Sequence, residues 1–464
     1  MTHKVAWLLT ASIFVGLLLP SLVQEGMFLD GVSYACIAKN MAKGMGGFAQ
    51  PYYTATLYPV CYEQPPFALW LQSLFFRGFG DHFWVERLYT LCMAILTAVG
   101  ISLNWCLFLK VKPLEEVSPF SNMAWLPVLF WVTSPIVFWS YQNNMLECTM
   151  TVFVLFSVYF AAKSVWKRNH WLLVMAALLT AVAVLCKGPV GFFSVIVPFV
   201  YGVTFNPKGI VGAAFRSILM LVLALTFLCI VILLLPGMLE YLDYYLHKQL
   251  LPTLSGIREK QVENPFAFLL DLVSQFALPA VLLLVISAKR GIRTFSLTKP
   301  AVFFFAVGLA GTLPLVFTPK QSAHYLVPAL PFFALGFAVV SSKALTWSET
   351  FSNRKAIFEK VAWFVLTVTI FLSLSFWGKY SRNAQKIQDV KAICARVGPN
   401  SIISISKHFS NDWLLIAYFG RIGNVSLDSN QPHDLWLTDK SGVKLEGYEP
   451  LDLATTEYRL WKRK

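Results

Sequence analysis

Lys187 stands in the stretch "VLCKGPVGFF", Val184 to Phe193, with apolar sequence on both sides. An ammonium at membrane depth is costly and marks function by default, although a lysine at a helix end can also snorkel to headgroups. Gly188-Pro189 directly after it would break a helix and hold the charge at a turn. Other ionisable side chains fall near comparable places. Asp30 follows the first apolar run, Glu147 opens another in "NNMLECTM", and Glu63 and Gln64 precede a proline pair. His247, Lys248 and Arg258 share one loop, and Lys320, His324 and Tyr325 lie at the start of a later run. Each has an ordinary reading: Asp30 as a helix N-cap, Tyr325 as an aromatic-belt residue, His247 as a solvated loop histidine. Together they offer cations for a phosphate and carboxylates to act as base toward a hydroxyl. That set suits a site handling an anion at a lipid surface.

The elements that must position these side chains follow from composition. The chain has 464 residues, 57% of them hydrophobic and 13% charged. Soluble domains carry about 25% charged residues, so a soluble enzyme is excluded and the long apolar runs are read as membrane spans. Helices are the expected spanning element, because an open sheet leaves backbone groups unsatisfied in lipid. About eleven spans are predicted, near 5–23, 87–109, 124–140, 146–163, 171–186, 188–204, 217–236, 265–288, 300–318, 324–342 and 361–378, with room for one or two more. The first resembles a signal peptide, but no small-residue cleavage site follows, so it is read as an uncleaved helix.

Orientation follows from basic residues. With the N-terminus in the cytoplasm, Lys110 and Lys112, Lys163, Lys167 and Arg168, Lys208 and Arg216, the group Lys289 to Lys299, and the group Lys343 to Lys360 all fall on the cytoplasmic side. The net charge of +14 thus reflects topology and not nucleic-acid binding. Residues 1–378 form the expected transmembrane domain, with outer loops 24–86 and 237–264 shaping a cavity. Two apolar stretches in the first loop, "YACIAKNM" and "PPFALWLQSLFF", are too short to span and read as helices lying in the outer interface. Residues 379–464 change character, and "IISIS", "NDWLLIAYFG" and "HDLWLTDK" predict a small extracytoplasmic α/β domain.

The order of "FLDGVSYACIAKNM", "YPVCYEQPPFALWLQSLFFRGFGDHFWVERL", "NNMLECTMTVFVLF", "VLCKGPVGFF" and "TPKQSAHYLVPALPFFAL" resembles membrane glycosyltransferases of the GT-C class over roughly residues 5–342. The branch it looks closest to contains protein O-mannosyltransferases and the lipid A aminoarabinose transferase. The resemblance implies an inverting transfer of a sugar from a polyprenyl-phosphate donor to a hydroxyl or phosphate of lipid A, protein or glycan. It places the reaction on the extracytoplasmic face of a membrane, here a bacterial inner membrane. It implies Asp30, as base or acceptor-orienting group, and Glu147 as catalytic carboxylates, and Lys187, Gln64, Arg258, Lys320 and Tyr325 at the donor phosphate. In the aminoarabinose branch a glutamate and a histidine hold zinc, which would correspond to Glu63 and His247; no cofactor is otherwise required.

Two positions depart from the family pattern. The usual "DE" is Asp30-Gly31, and the lysine of the usual "KPP" is Gln64. Cys36 and Cys61 share the first outer loop, where a disulfide is conceivable and free buried thiols are the favoured expectation. A flippase for lipid-linked glycans would carry charges along a path near the bilayer midplane, whereas these are predicted at one interface. A non-catalytic partner subunit is the other alternative, suggested by the missing second acid.

Overall fold

Uniform apolarity makes helices of most of the chain, since lipid offers no partner for an exposed backbone amide. The computed structural model describes residues 3–110, 123–256, 266–290, 297–342, 355–440 and 445–464. The chain opens with helices α1 (His3–Leu22), α2 (Leu29–Ala42), α3 (Phe67–Phe79) and α4 (Val85–Lys110). It continues with α5 (Trp125–Val132), α6 (Pro135–Gln142), α7 (Leu146–Lys167) and α8 (His170–Lys187). Among the described residues 7 helices are long and apolar enough to cross a membrane, or 8 counting Ala267–Ser274 with Ala277–Val285, which meet at 59°.

These correspond to eight of the predicted runs. The other three runs are shorter or broken, and each contains proline. Run 124–140 splits into α5 and α6, each of 8 residues, at Thr133-Ser134 before Pro135. Run 188–204 begins as a 3₁₀ helix at Pro189 and becomes α-helical at Val197. Run 324–342 starts with a 3₁₀ turn, Ala323–Leu326, and its α-helix, Leu330–Ser342, has 13 residues. Proline lacks the amide that would continue the ladder, and hydropathy alone does not register that loss.

The chain divides into two compact units. The first contains residues 1–20, 90–142 and 146–377. Within it α7 and α8 form a hairpin. Asn169 caps α8, its Oδ1 accepting from the amides of Trp171 at 2.9 Å and Leu172 at 3.4 Å, as an N-cap should. A buried hydroxyl chain ties three elements together. Thr180 of α8 meets Ser157 of α7 at 2.8 Å and Ser194 of the 3₁₀ helix at 2.8 Å. Satisfied polar contacts of this kind fix register in an otherwise uniform apolar interface.

The second unit contains residues 21–89, 143–145 and 378–464. The first loop therefore packs with the tail, a partnership the sequence reading does not contain. α2 is buried over Gly31, Val32 and Tyr34–Met41. The tail carries β1 (Ile402–Ile405), β2 (Ser426–Asp428), β3 (Leu435–Asp439), β4 (Tyr448–Pro450) and β5 (Tyr458–Arg463). They form a five-stranded sheet in the order β2-β1-β3-β5-β4. β1 runs parallel to β2 and β3, while β5 is antiparallel to β3 and β4. Helix Ala384–Val397 is held to the sheet through Asp389, whose carboxylate accepts from the amides of Thr456, Glu457 and Tyr458 at 2.7–3.1 Å.

Candidate functional site

In the first unit three predicted residues come together. Glu147 lies in the first turn of α7, where the helix dipole favours a carboxylate. Its side chain is fully buried. Oε1 lies 3.2 Å from Lys187 Nζ and 3.7 Å from His324 Nε2. Neither carboxylate oxygen accepts a hydrogen bond among the described residues, so the ammonium and the imidazole approach it without aligned donors. Lys187 Nζ also sits 6.0 Å from the centre of the Tyr325 ring, within cation–π range. Tyr325 meets the His324 ring edge-on at 4.7 Å, and Trp139 of α6 stacks on His324 at 6.2 Å. A carboxylate, an ammonium, an imidazole and aromatic walls thus converge from helices far apart in sequence.

The local fold explains why Lys187 ends α8. The Gly188 amide donates to the Val184 carbonyl at 2.7 Å, and Gly188 then turns out of the helix at φ +94°, a conformation that favours glycine. A side chain at 188 would run into the Tyr245 hydroxyl. Pro189 begins the 3₁₀ helix, where its missing amide costs nothing. A Cβ on Gly191 would come within 2.7 Å of the Val184 amide nitrogen, so the 3₁₀ helix folds back tightly on α8. The "KGPVG" sequence is thus a helix stop followed by a close return, with the lysine at the stop.

In the second unit Asp30 occupies the first turn of α2, and the N-cap is Phe28. The missing second acid has a steric reason. A Cβ on Gly31 would overlap the backbone carbonyl oxygen of Asn143, so no acidic side chain can stand there without moving that backbone. Glu63 is exposed and Gln64 half-buried, both ahead of α3. Cys36 and Cys61 are both free thiols. Burial raises both thiols, Cys61 to about 12, so neither is a ready thiolate.

The remaining predicted residues lie elsewhere. Lys320 is in the loop before His324, with its carbonyl accepting from Thr318 Oγ1 at 3.0 Å. His247 is exposed and pairs with Asp243, Nδ1 to Oδ1 at 3.0 Å. Among the described residues no three His, Cys, Asp or Glu side chains gather as metal ligands, so no step below is routed through zinc. Arg258 lies outside the described residues. Sequence reasoning missed the Glu147–His324 contact, Trp139 and Tyr245. It also missed the role of Asn143 and Asn144, although the paired amides directly before "MLE" were the available signal.

Comparison with known proteins agrees with this architecture. Residues 63–235 match the family model described as dolichyl-phosphate-mannose-protein mannosyltransferase. An uncharacterised protein of Aquifex aeolicus (strain VF5) is 27% identical over 159 residues, 34% of this chain and 29% of that protein, so the match takes in less than a third of the relative. The crystal structure of ArnT from Cupriavidus metallidurans bound to undecaprenyl phosphate superposes with a TM-score of 0.66 at 15% identity, over 98% of this chain and 97% of that one. The archaeal oligosaccharyltransferase AglB from Archaeoglobus fulgidus, in complex with an inhibitory peptide and a dolichol-phosphate, gives a TM-score of 0.51 at 12% identity. That likeness covers 91% of this chain and 64% of AglB. The chain has the fold of the GT-C membrane glycosyltransferases.

Proposed function

We propose that this protein is an integral-membrane, inverting glycosyltransferase that takes a sugar from a polyprenyl-phosphate donor and places it on an acceptor hydroxyl or phosphate. The observation that carries the proposal is the buried Glu147 carboxylate with Lys187 Nζ at 3.2 Å and His324 Nε2 at 3.7 Å, beside Tyr325. Glu147 gives the Lys187 ammonium a counter-charge in a place where unpaired charge would be expelled. The Lys187 ammonium is suited to a lipid phosphate, because it is a cation with three donors. The likeness to a structure holding undecaprenyl phosphate and to one holding a dolichol-phosphate supports this ligand class.

In the reaction the bond between the anomeric carbon and the phosphate oxygen breaks, and the electron pair leaves with the polyprenyl phosphate. Lys187, with Tyr325 and Lys320, stabilises the charge that grows on that leaving group. The acceptor oxygen attacks the opposite face, which inverts the anomeric carbon. Asp30 receives or orients its proton; the match to the family's first acidic position supports that role. Gln64 and Arg258 are further proposed phosphate contacts. Lipid A, protein and glycan are the acceptor classes. The membrane is a bacterial inner membrane in this reading, and the charge distribution supports an orientation with the N-terminus cytoplasmic and the tail outside.

The test is release of lipid phosphate from polyprenyl-phosphate sugars with a radiolabelled headgroup, for the wild type, Asp30→Asn and Lys187→Ala. Release that is present in the wild type and strongly lowered, but still measurable, in both variants supports the proposal. Donor binding without release from any donor points instead to a carrier of lipid-linked glycans.

A further inference from the structure

Four buried or half-buried groups bracket the peptide that carries Asp30. On its N-terminal side the Phe28 amide donates to Asn143 Oδ1 at 2.8 Å. On its C-terminal side Asn144 Nδ2 donates to the Gly31 carbonyl at 3.2 Å. Gln72 of α3 holds Asn144 in turn, Nε2 donating to its Oδ1 at 3.1 Å. The Asn143 carbonyl presses on the face of Gly31, where any Cβ would overlap it. Asn144 adopts φ +54°, a left-handed conformation that asparagine accepts more readily than most residues. Gln72, Asn143 and Asn144 are all at most 5% exposed.

Burying three amide side chains is expensive unless each finds partners, and the contacts found here converge on the first turn of one helix. That turn needs fixing for a physical reason. The first four amides of a helix lack intrahelical partners, so the N-terminal turn is where α2 would fray. The Phe28 amide belongs to that group, and a side chain outside the helix satisfies it. Asp30 lies between the two clamped positions, so the direction of its carboxylate depends on them.

We propose that Asn143 and Asn144 are positioning residues for Asp30, clamping residues 28–31 so that its carboxylate is held for proton transfer. The inference rests on the glycosyltransferase reading above for its kinetic consequence and on geometry alone for the clamp. It also assigns a use to Gly31: the position that holds a second acid in related enzymes is occupied here by the close approach that builds the clamp.

The experiment uses the full chain in detergent micelles or nanodiscs. Asn144→Gly removes the side-chain bonds while tolerating the positive φ, and Asn143→Ala removes the acceptor for Phe28. Hydrogen–deuterium exchange is followed over residues 28–42, and transfer is measured in the wild-type and Asp30→Asn backgrounds. Faster exchange confined to the first turn of α2 is expected in both variants. Turnover is expected to fall about tenfold to a hundredfold, with little change in donor KM, and to fall no further once Asp30 is already Asn. Unchanged exchange overturns the clamp whatever the enzyme does. Faster exchange with unchanged turnover, or with an equal additional loss in the Asp30→Asn background, overturns the positioning role. Absence of headgroup release by the wild type removes the glycosyltransferase reading and with it the kinetic role, while the exchange result still decides the clamp.

Discussion

Glu86 and Glu147 are both buried carboxylates in the first turn of a long apolar helix, and both face a cation. Glu86 accepts from Arg421 at both oxygens, Oε1 from Nε at 3.2 Å and Oε2 from the guanidinium end at 2.8 Å. The same guanidinium donates to Asp81 Oδ1 at 2.6 Å and to the His82 carbonyl at 2.9 Å. Burial would lower the Arg421 pKa, but the Glu86 and Asp81 carboxylates raise it further than burial lowers it. Burial likewise opposes ionisation of Asp81, and Arg421, Lys39 and Lys43 together hold it below the usual carboxylate value. In the first cluster a planar fork meets a planar carboxylate, and two further donors reach Asp81 and the His82 carbonyl. In the second the Glu147 carboxylate faces an ammonium and an imidazole and accepts no hydrogen bond from a described residue. Similar residues at similar helix positions therefore serve different ends, and hydrogen-bond geometry separates them.

The largest expected effect breaks the Glu86 cluster. Arg421→Met leaves Glu86 and Asp81 buried without their guanidinium and should destabilise the second unit by about 3–5 kcal/mol. Denaturation of the purified protein reads this directly, and an unchanged midpoint would show that the cluster is not structural. Next comes the Glu147 cluster. Lys187→Ala should lower turnover by about 10²–10³-fold, with the helical circular dichroism of the wild type retained. If this variant unfolds as Arg421→Met does, the distinction between the clusters collapses.

A smaller effect is expected at Gly31. Gly31→Ala drives a Cβ into the Asn143 carbonyl and should cost about 1–3 kcal/mol by overpacking. A Gly31→Glu variant, which restores the acid of the related pattern, should lose activity and not gain it. The smallest effect lies beside the Glu86 cluster. Lys39 is buried and donates to the carbonyls of Gly420 at 2.6 Å and Arg421 at 2.9 Å. Burial lowers its pKa from 10.5 to about 8, with Arg421 and Lys43 adding to the shift and Cys36 and Asp81 opposing it. Between those values the unfolded chain binds a proton that the folded chain lacks, so this group makes stability rise with pH. The slope is at most about 1.4 kcal/mol per pH unit. Unfolding midpoints measured from pH 8 to 10 should therefore show a rising component that Lys39→Met removes; identical profiles would place the Lys39 titration elsewhere.

Much of this architecture is legible in the sequence, and the parts that are not share a cause. The long runs at His3–Leu22, Leu146–Lys167 and Pro207–Leu234 announce themselves because length and apolarity suffice for a span. The three runs interrupted by proline do not, because a lost backbone bond leaves mean hydropathy unchanged. "KGP" predicts the turn at Lys187. It does not predict that Glu147 and His324 share that ammonium, since each comes from a separate helix. Gly31 reads as a lost acid until the Asn143 carbonyl appears against it. Lys39 reads as an ordinary lysine on an apolar helix, because its acceptors are carbonyls 381 and 382 residues away.

The sequence by itself determined that the chain lives in a membrane as helices, that a small α/β unit closes it, and that a lysine stops the helix before "GP". These follow from local composition and backbone sterics, which need no partner. Only the tertiary structure decided which charges meet, which carboxylate is locked by an arginine fork and which faces an ammonium without a hydrogen bond from a described residue, and why residue 31 carries no side chain. Those outcomes depend on distances between atoms remote along the chain, and a distance of that kind is a property of the packed molecule.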